Sequence, residues 1–125
     1  MGVILAPDNG DATSPDVSWS WTWFGHFRRA LAVAEGIDLD SMVGFGGDRS
    51  WDTVETSLSP LLSHPGDEWE LTAAECAQLL PRLSEVISRW HAAPSEDLQA
   101  YAERGQDLIE VVRVCIHQDV PLMVF

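Results

Sequence analysis

Lysine is missing from this chain: all seven basic side chains are arginines, set against twenty Asp and Glu, for a formal net charge of -13 over 125 residues. Without a lysine, Gly44-Phe45-Gly46-Gly47 has the glycines of an anion-cradling loop but no ammonium to complete one, and its surroundings are negative. The overall sign repels phosphates, so direct nucleic-acid binding is excluded as an expectation. Long apolar runs are also lacking. Nothing approaches the ~20 residues of a membrane span, and the opening Met-Gly-Val-Ile-Leu-Ala-Pro has neither the basic start nor the long apolar stretch of a secretion signal. No membrane partner is expected, and the expected address is the cytoplasm. Cysteine is scarce, with only Cys76 and Cys115, far apart in sequence. They make no disulfide framework and read as two thiols packed in a core in a reducing compartment. Also missing are a G-x-S-x-G elbow, a Walker loop, an H-E-x-x-H helix, a dinucleotide fingerprint and internal repeats. No cofactor is expected, and catalysis is the less favoured reading.

What is present reads as one domain over residues 1–125, partly irregular over 1–16, with 46% hydrophobic and 22% charged residues. Trp19, Trp21 and Trp23 alternate with small hydroxyl residues, which predicts one face of an extended segment. From Trp23 the period changes, and Phe27, Ala30, Leu31 and Ala34 recur at helical spacing. A helix is predicted over about Trp23 to Glu35, capped by Thr22 and stopped at Gly36, with Arg28 and Arg29 towards its outer face. Thr72-Ala73-Ala74-Glu75 is a capping box that opens a second helix. The apolar stripe Cys76, Leu79, Leu80, Leu83, Val86, Ile87 and Trp90 carries it through Pro81. Pro94 is predicted in the first turn of a third helix, with Leu98, Tyr101, Gly105, Leu108, Ile109, Val112, Cys115 and Ile116 inward. A short link makes these two helices an antiparallel hairpin. The fold expected is α+β: three helices, including that C-terminal hairpin, packed on a small sheet of short strands. The strands are Val3 to Ala6, the tryptophan segment and the closing Val-Pro-Leu-Met-Val-Phe, with Trp69 and Leu71 suggesting a further one.

The acidity is uneven. Ten acids lie between Glu35 and Glu75 against Arg49 alone, a balance of -9, which leaves -4 for the rest. The same stretch is punctuated by Gly44, Gly46, Gly47, Pro60, Pro65 and Gly66, and long irregular connections tend to carry binding.

Ser18-Trp19, Phe27-Arg28, Gly36-Ile37-Asp38-Leu39-Asp40, Gly44-Phe45-Gly46-Gly47, Pro60-Leu61-Leu62-Ser63-His64 and Pro81-Arg82-Leu83 together resemble a group of small actinobacterial proteins of uncharacterised activity, over about residues 17–90. The resemblance implies a self-contained bacterial domain and no particular mechanism. The sequence departs from the group's pattern at residues 64–69, where Trp69 stands in place of a Gly.

Two function classes follow. In the first, the chain is an acidic binding or inhibitory module for a basic protein, like an immunity protein or a nucleic-acid mimic. Asp48, Asp52, Asp67, Glu68 and Glu70 supply charge, and an exposed Trp51 or Trp69 is the anchor. In the second, Trp19, Trp21, Trp23, Phe24, His26, Phe27 and His64 line an apolar pocket for a small molecule, in a metabolic accessory protein. A zinc site from Cys76, Cys115, His117 and His64 is the sharpest metal reading the spacing allows. Both thiols lie on apolar stripes without C-x-x-C or H-x-x-x-H spacing, so core packing is preferred and no metal is expected.

Overall fold

Short local signals set the element boundaries. The computed structural model describes residues 2–64 and 68–125. It runs β1 (Gly2–Pro7), β2 (Val17–Ser20), α1 (Trp21–Ala34), a 3-10 turn at Leu39–Ser41 and another at Trp51–Thr53. There follow α2 (Ser59–Leu62), β3 (Trp69–Leu71), α3 (Ala73–Ala92), α4 (Glu96–Gln118) and β4 (Leu122–Val124). The strands form one antiparallel sheet in the order β2-β1-β4-β3. The fold is thus α+β as expected, with the short α2 added to the three long helices and the further strand suggested by Trp69 and Leu71 present as an edge strand.

The tryptophan segment departs from its expected form. Ser20 rather than Thr22 caps α1, its hydroxyl accepting from the Trp23 amide at 3.0 Å. Serine is the stronger N-cap, and its position starts the helix two residues early and ends the strand at Ser20 instead of Trp21. Only Trp19 therefore lies on a strand, with Trp21 and Trp23 in the first turn of the helix. At the far end, Gly36 takes φ 72° and closes α1 as expected. The capping box of α3 forms in both directions, Thr72 with the Glu75 amide and the Glu75 carboxylate with the Thr72 amide, and the helix continues through Pro81. Helix α4 is capped by Ser95, which accepts from the Leu98 amide at 3.3 Å, so Pro94 precedes the cap instead of standing in the first turn.

One face of the sheet is the floor of the core. Alternation sends Val3, Leu5, Val17, Trp19, Leu122 and Val124 inward, all buried. They meet Phe24, Phe27 and Leu31 of α1, Leu83, Val86 and Ile87 of α3, and Leu108, Val111 and Val112 of α4 in one continuous cluster. The irregular stretch after α1 closes the core with Ile37, Leu39, Met42, Leu58, Leu61 and Leu62. It is pinned by parallel bridges Met42 to Arg49 and Val43 to Gly47. At Gly47 a Cβ would stand 2.0 Å from the Ser41 carbonyl oxygen, so no larger residue fits that crossing without moving backbone.

Candidate functional site

Arg28 is the residue on which the irregular segments converge. It was expected on the outer face of α1, yet it is only 6% exposed. The reason lies in helical spacing: position 28 is four residues after Phe24 and three before Leu31, on the inward stripe. Its guanidinium Nη1 donates to the His64 carbonyl at 2.7 Å. Its Cζ lies 4.6 Å from the Phe24 ring centroid, 5.2 Å from Phe45 and 5.9 Å from Trp69. His64 stacks on Trp69 with centroids 4.6 Å apart, and Phe45 meets Trp51 edge-on at 6.2 Å. The cation thus ties the Gly44–Gly47 loop and the start of β3 to α1 through aromatic faces. Among the described residues no carboxylate pairs with Arg28, and its Nε has no hydrogen-bond partner. Desolvation pulls its pKa down to about 10, with a smaller push from neighbouring Arg29. The guanidinium stays charged at neutral pH, and the cost of burying it eases only as pH rises through about 10.

Truncation at this point separates packing from charge. Arg28→Ala is expected to lower stability by about 2–4 kcal/mol, because it empties the space among three rings as well as removing the bond to His64. Arg28→Met refills the stem volume without a desolvated charge and is expected to cost less. Denaturant melts of both variants check this, and equal losses would assign the site to the guanidinium bond rather than to packing.

The residues expected to bind a partner are distributed over this framework. Asp48, Asp52, Glu68 and Glu70 are exposed, while Asp67 lies outside the described residues. Of the other acids in the same stretch, Glu35 pairs with Arg82, Asp40 pairs with Arg29, and Glu75 serves the capping box. Asp38, Asp48, Asp52, Glu55, Glu68 and Glu70 make no ion pair among the described residues. Neither Trp51 nor Trp69 is the exposed anchor expected. Both are half-buried, Trp51 donating its indole N–H to the Val43 carbonyl at 3.1 Å and Trp69 packed between His64 and Phe24. They fix the loops that carry the acids.

The residues of the alternative pocket fill one another's space. Trp19 and Trp23 approach to 4.6 Å between centroids, Trp23 stacks on Phe27 at 5.4 Å, and Trp21 meets Phe24 at 6.0 Å. Trp19, Phe24 and Phe27 are buried, Trp21 and Trp23 half-buried. His26, expected to line the pocket, is exposed, and half-buried His64 reaches the cluster only through Trp69, which stacks on Phe24 at 6.4 Å. Among the described residues no cavity opens at these rings.

Cys76 and Cys115 do meet. Both are buried free thiols in mutual hydrogen-bond contact, and Cys115 Sγ also lies 3.8 Å from the Pro121 carbonyl. That shared bond and then burial push the Cys76 thiol far up, while the same bond pulls the Cys115 thiol down. His117 is exposed on α4, and among the described residues no group of three or more His, Cys, Asp or Glu is placed to hold a metal ion. No helix among the described residues is long and apolar enough to cross a membrane. Comparison of the chain with protein-family models, with curated proteins and with solved structures finds no match.

Proposed function

We propose that the chain is an acidic binding module that engages a basic protein partner. The observation that carries this reading is the set of six exposed carboxylates, Asp38, Asp48, Asp52, Glu55, Glu68 and Glu70, without a cation among the described residues. Arginines from the helices hold other acids: Arg29 holds Asp40, Arg82 bridges Glu35 and Glu85, Arg89 also holds Glu85, and Arg113 holds Glu110. Within the acidic stretch the one arginine, Arg49, bonds Thr53 instead, at 2.9 Å. Like charges left without a cation raise the potential around them and speed the approach of a cationic surface. The aromatic and Arg28 contacts supply that fixing, which limits the entropy lost on binding.

Copurification of the tagged chain from its own cells, paired with a ligand screen read by tryptophan fluorescence, tests the class of partner. A basic protein is expected on the column and no neutral quencher in the screen. A neutral small molecule that quenches the tryptophans, with no basic protein recovered, would replace this function with the pocket reading.

A further inference from the structure

The register of the sheet defines what its other face carries. Ala6 is opposite Met123 across β1 and β4, and Met123 is opposite Glu70 across β4 and β3. Residues directly opposite in a ladder share a face, so these three form one row. Ile4 is opposite Ser18 on β2, and it exchanges both backbone hydrogen bonds with Phe125, at 2.7 and 3.0 Å. Asp16 and Glu68 each stand one residue before the paired strands, next to Val17 and Trp69. Across the sheet, then, one row runs Ala6, Met123, Glu70 and the next Ser18, Ile4, Phe125, with Asp16 just before β2 and Glu68 just before β3. The middle strands are apolar and the edges are polar or acidic. Buried neighbours on the same strands, such as Leu5 and Val124, point the other way into the core, while Ile4 is 36% and Phe125 47% exposed.

We propose that this face is a docking surface for a basic amphipathic helix of a partner protein. The apolar stripe of the helix would lie along β1 and β4, with its Lys or Arg flanks over Asp16 on one side and Glu68 and Glu70 on the other. This deepens the acidic-module reading and rests on it. The dimensions agree: strands ~4.8 Å apart put the β2 and β3 edges about 14 Å from each other, and a helix with its side chains is about 10–12 Å across. Its stripe spans the two middle strands and its flanks reach the edges. A third layer over an open sheet face is also a standard way for such a face to be covered. A neutral helix would desolvate the edge carboxylates without compensation. A second copy of this chain would bring another net charge of -13 against them.

Titrating isotope-labelled protein with a synthetic amphipathic Leu/Lys helical peptide, followed by NMR and by peptide anisotropy, tests the assignment. Amide shifts are expected to centre on β1 and β4. Ile4→Ser with Phe125→Ser should weaken binding by about tenfold even in high salt, as for the apolar centre of an interface. Glu68→Gln with Glu70→Gln should weaken it chiefly in low salt. If the double serine variant does not fold, Phe125→Ser alone, at a half-exposed site, carries the same comparison. Shifts centred on residues 48–55 would overturn the sheet face while leaving the acidic module standing. No binding on either surface would overturn both. A dimer that Phe125→Ser dissociates would overturn the helix in favour of a second copy.

Discussion

Deleting Leu122 to Phe125 is expected to abolish cooperative unfolding altogether. The segment is small, but β4 is a middle strand, paired with β1 on one side and β3 on the other. Leu122 and Val124 are both fully buried. Removing two such side chains forfeits about 1.5–3 kcal/mol each in transfer free energy. It also strips the inner ladder partners from Leu5 and Leu71 and leaves their backbone groups unmatched. Against a total stability of about 5–15 kcal/mol for a domain of this kind, the sum is comparable with all there is. Far-UV circular dichroism on heating should show a gradual slope in place of a transition. A sharp melt near that of the intact chain would mean that β4 is not part of the working fold.

Gly105→Leu is expected to lower stability by about 3 kcal/mol, at the upper end of what overpacking costs. Gly105 sits inside α4, where glycine is otherwise unfavourable by about 1 kcal/mol relative to alanine. Its compensation is contact. A Cβ there would stand 2.3 Å from Ile87 Cδ1 on α3 and 3.2 Å from a ring carbon of Phe27 on α1. The residue therefore sets how closely α4 approaches both other long helices. Gly105→Ala brings the helix-propensity gain but still needs Ile87 to shift, so it should fall well short of the leucine effect. Calorimetric melts of the two variants are the measurement. A leucine variant as stable as the parent would show that the hairpin can open at this point without loss.

Those two positions also show what was legible in the sequence. The inward stripes of α3 and α4, the Thr72–Glu75 box and the C-terminal strand are local patterns, so their periods alone located the hairpin and its floor. Period misled at the tryptophans, because Trp19, Trp21 and Trp23 alternate like a strand while Ser20 has already begun the helix. The burial of Arg28 was legible in principle from its spacing to Phe24 and Leu31, but charge argued the other way. What overrode charge was a set of rings, Phe24, Phe45 and Trp69, contributed by three separate segments. Tertiary meeting of that kind leaves no local trace. The same holds for the candidate site. Composition located the acidic stretch, whereas which acids are neutralised depends on Arg29 and Arg82 arriving from α1 and α3. The rows on the open sheet face exist only once the register is known.

The central claim is electrostatic recognition of a basic protein by the exposed acids, and its most direct measurement is the ionic-strength dependence of the association rate. The partner recovered by copurification is mixed with the parent chain and with a variant carrying Asp48→Asn, Asp52→Asn, Glu68→Gln and Glu70→Gln. All four positions are exposed, so the variant should keep the parent's melting temperature. Charges at a rim act mainly on encounter and are screened over a Debye length of about 8 Å at physiological salt. The account predicts association several-fold slower for the variant in low salt, with the difference shrinking as salt is added. Equal rates and equal salt dependence for the two proteins would contradict it, leaving these carboxylates as a solvated surface with no part in recognition.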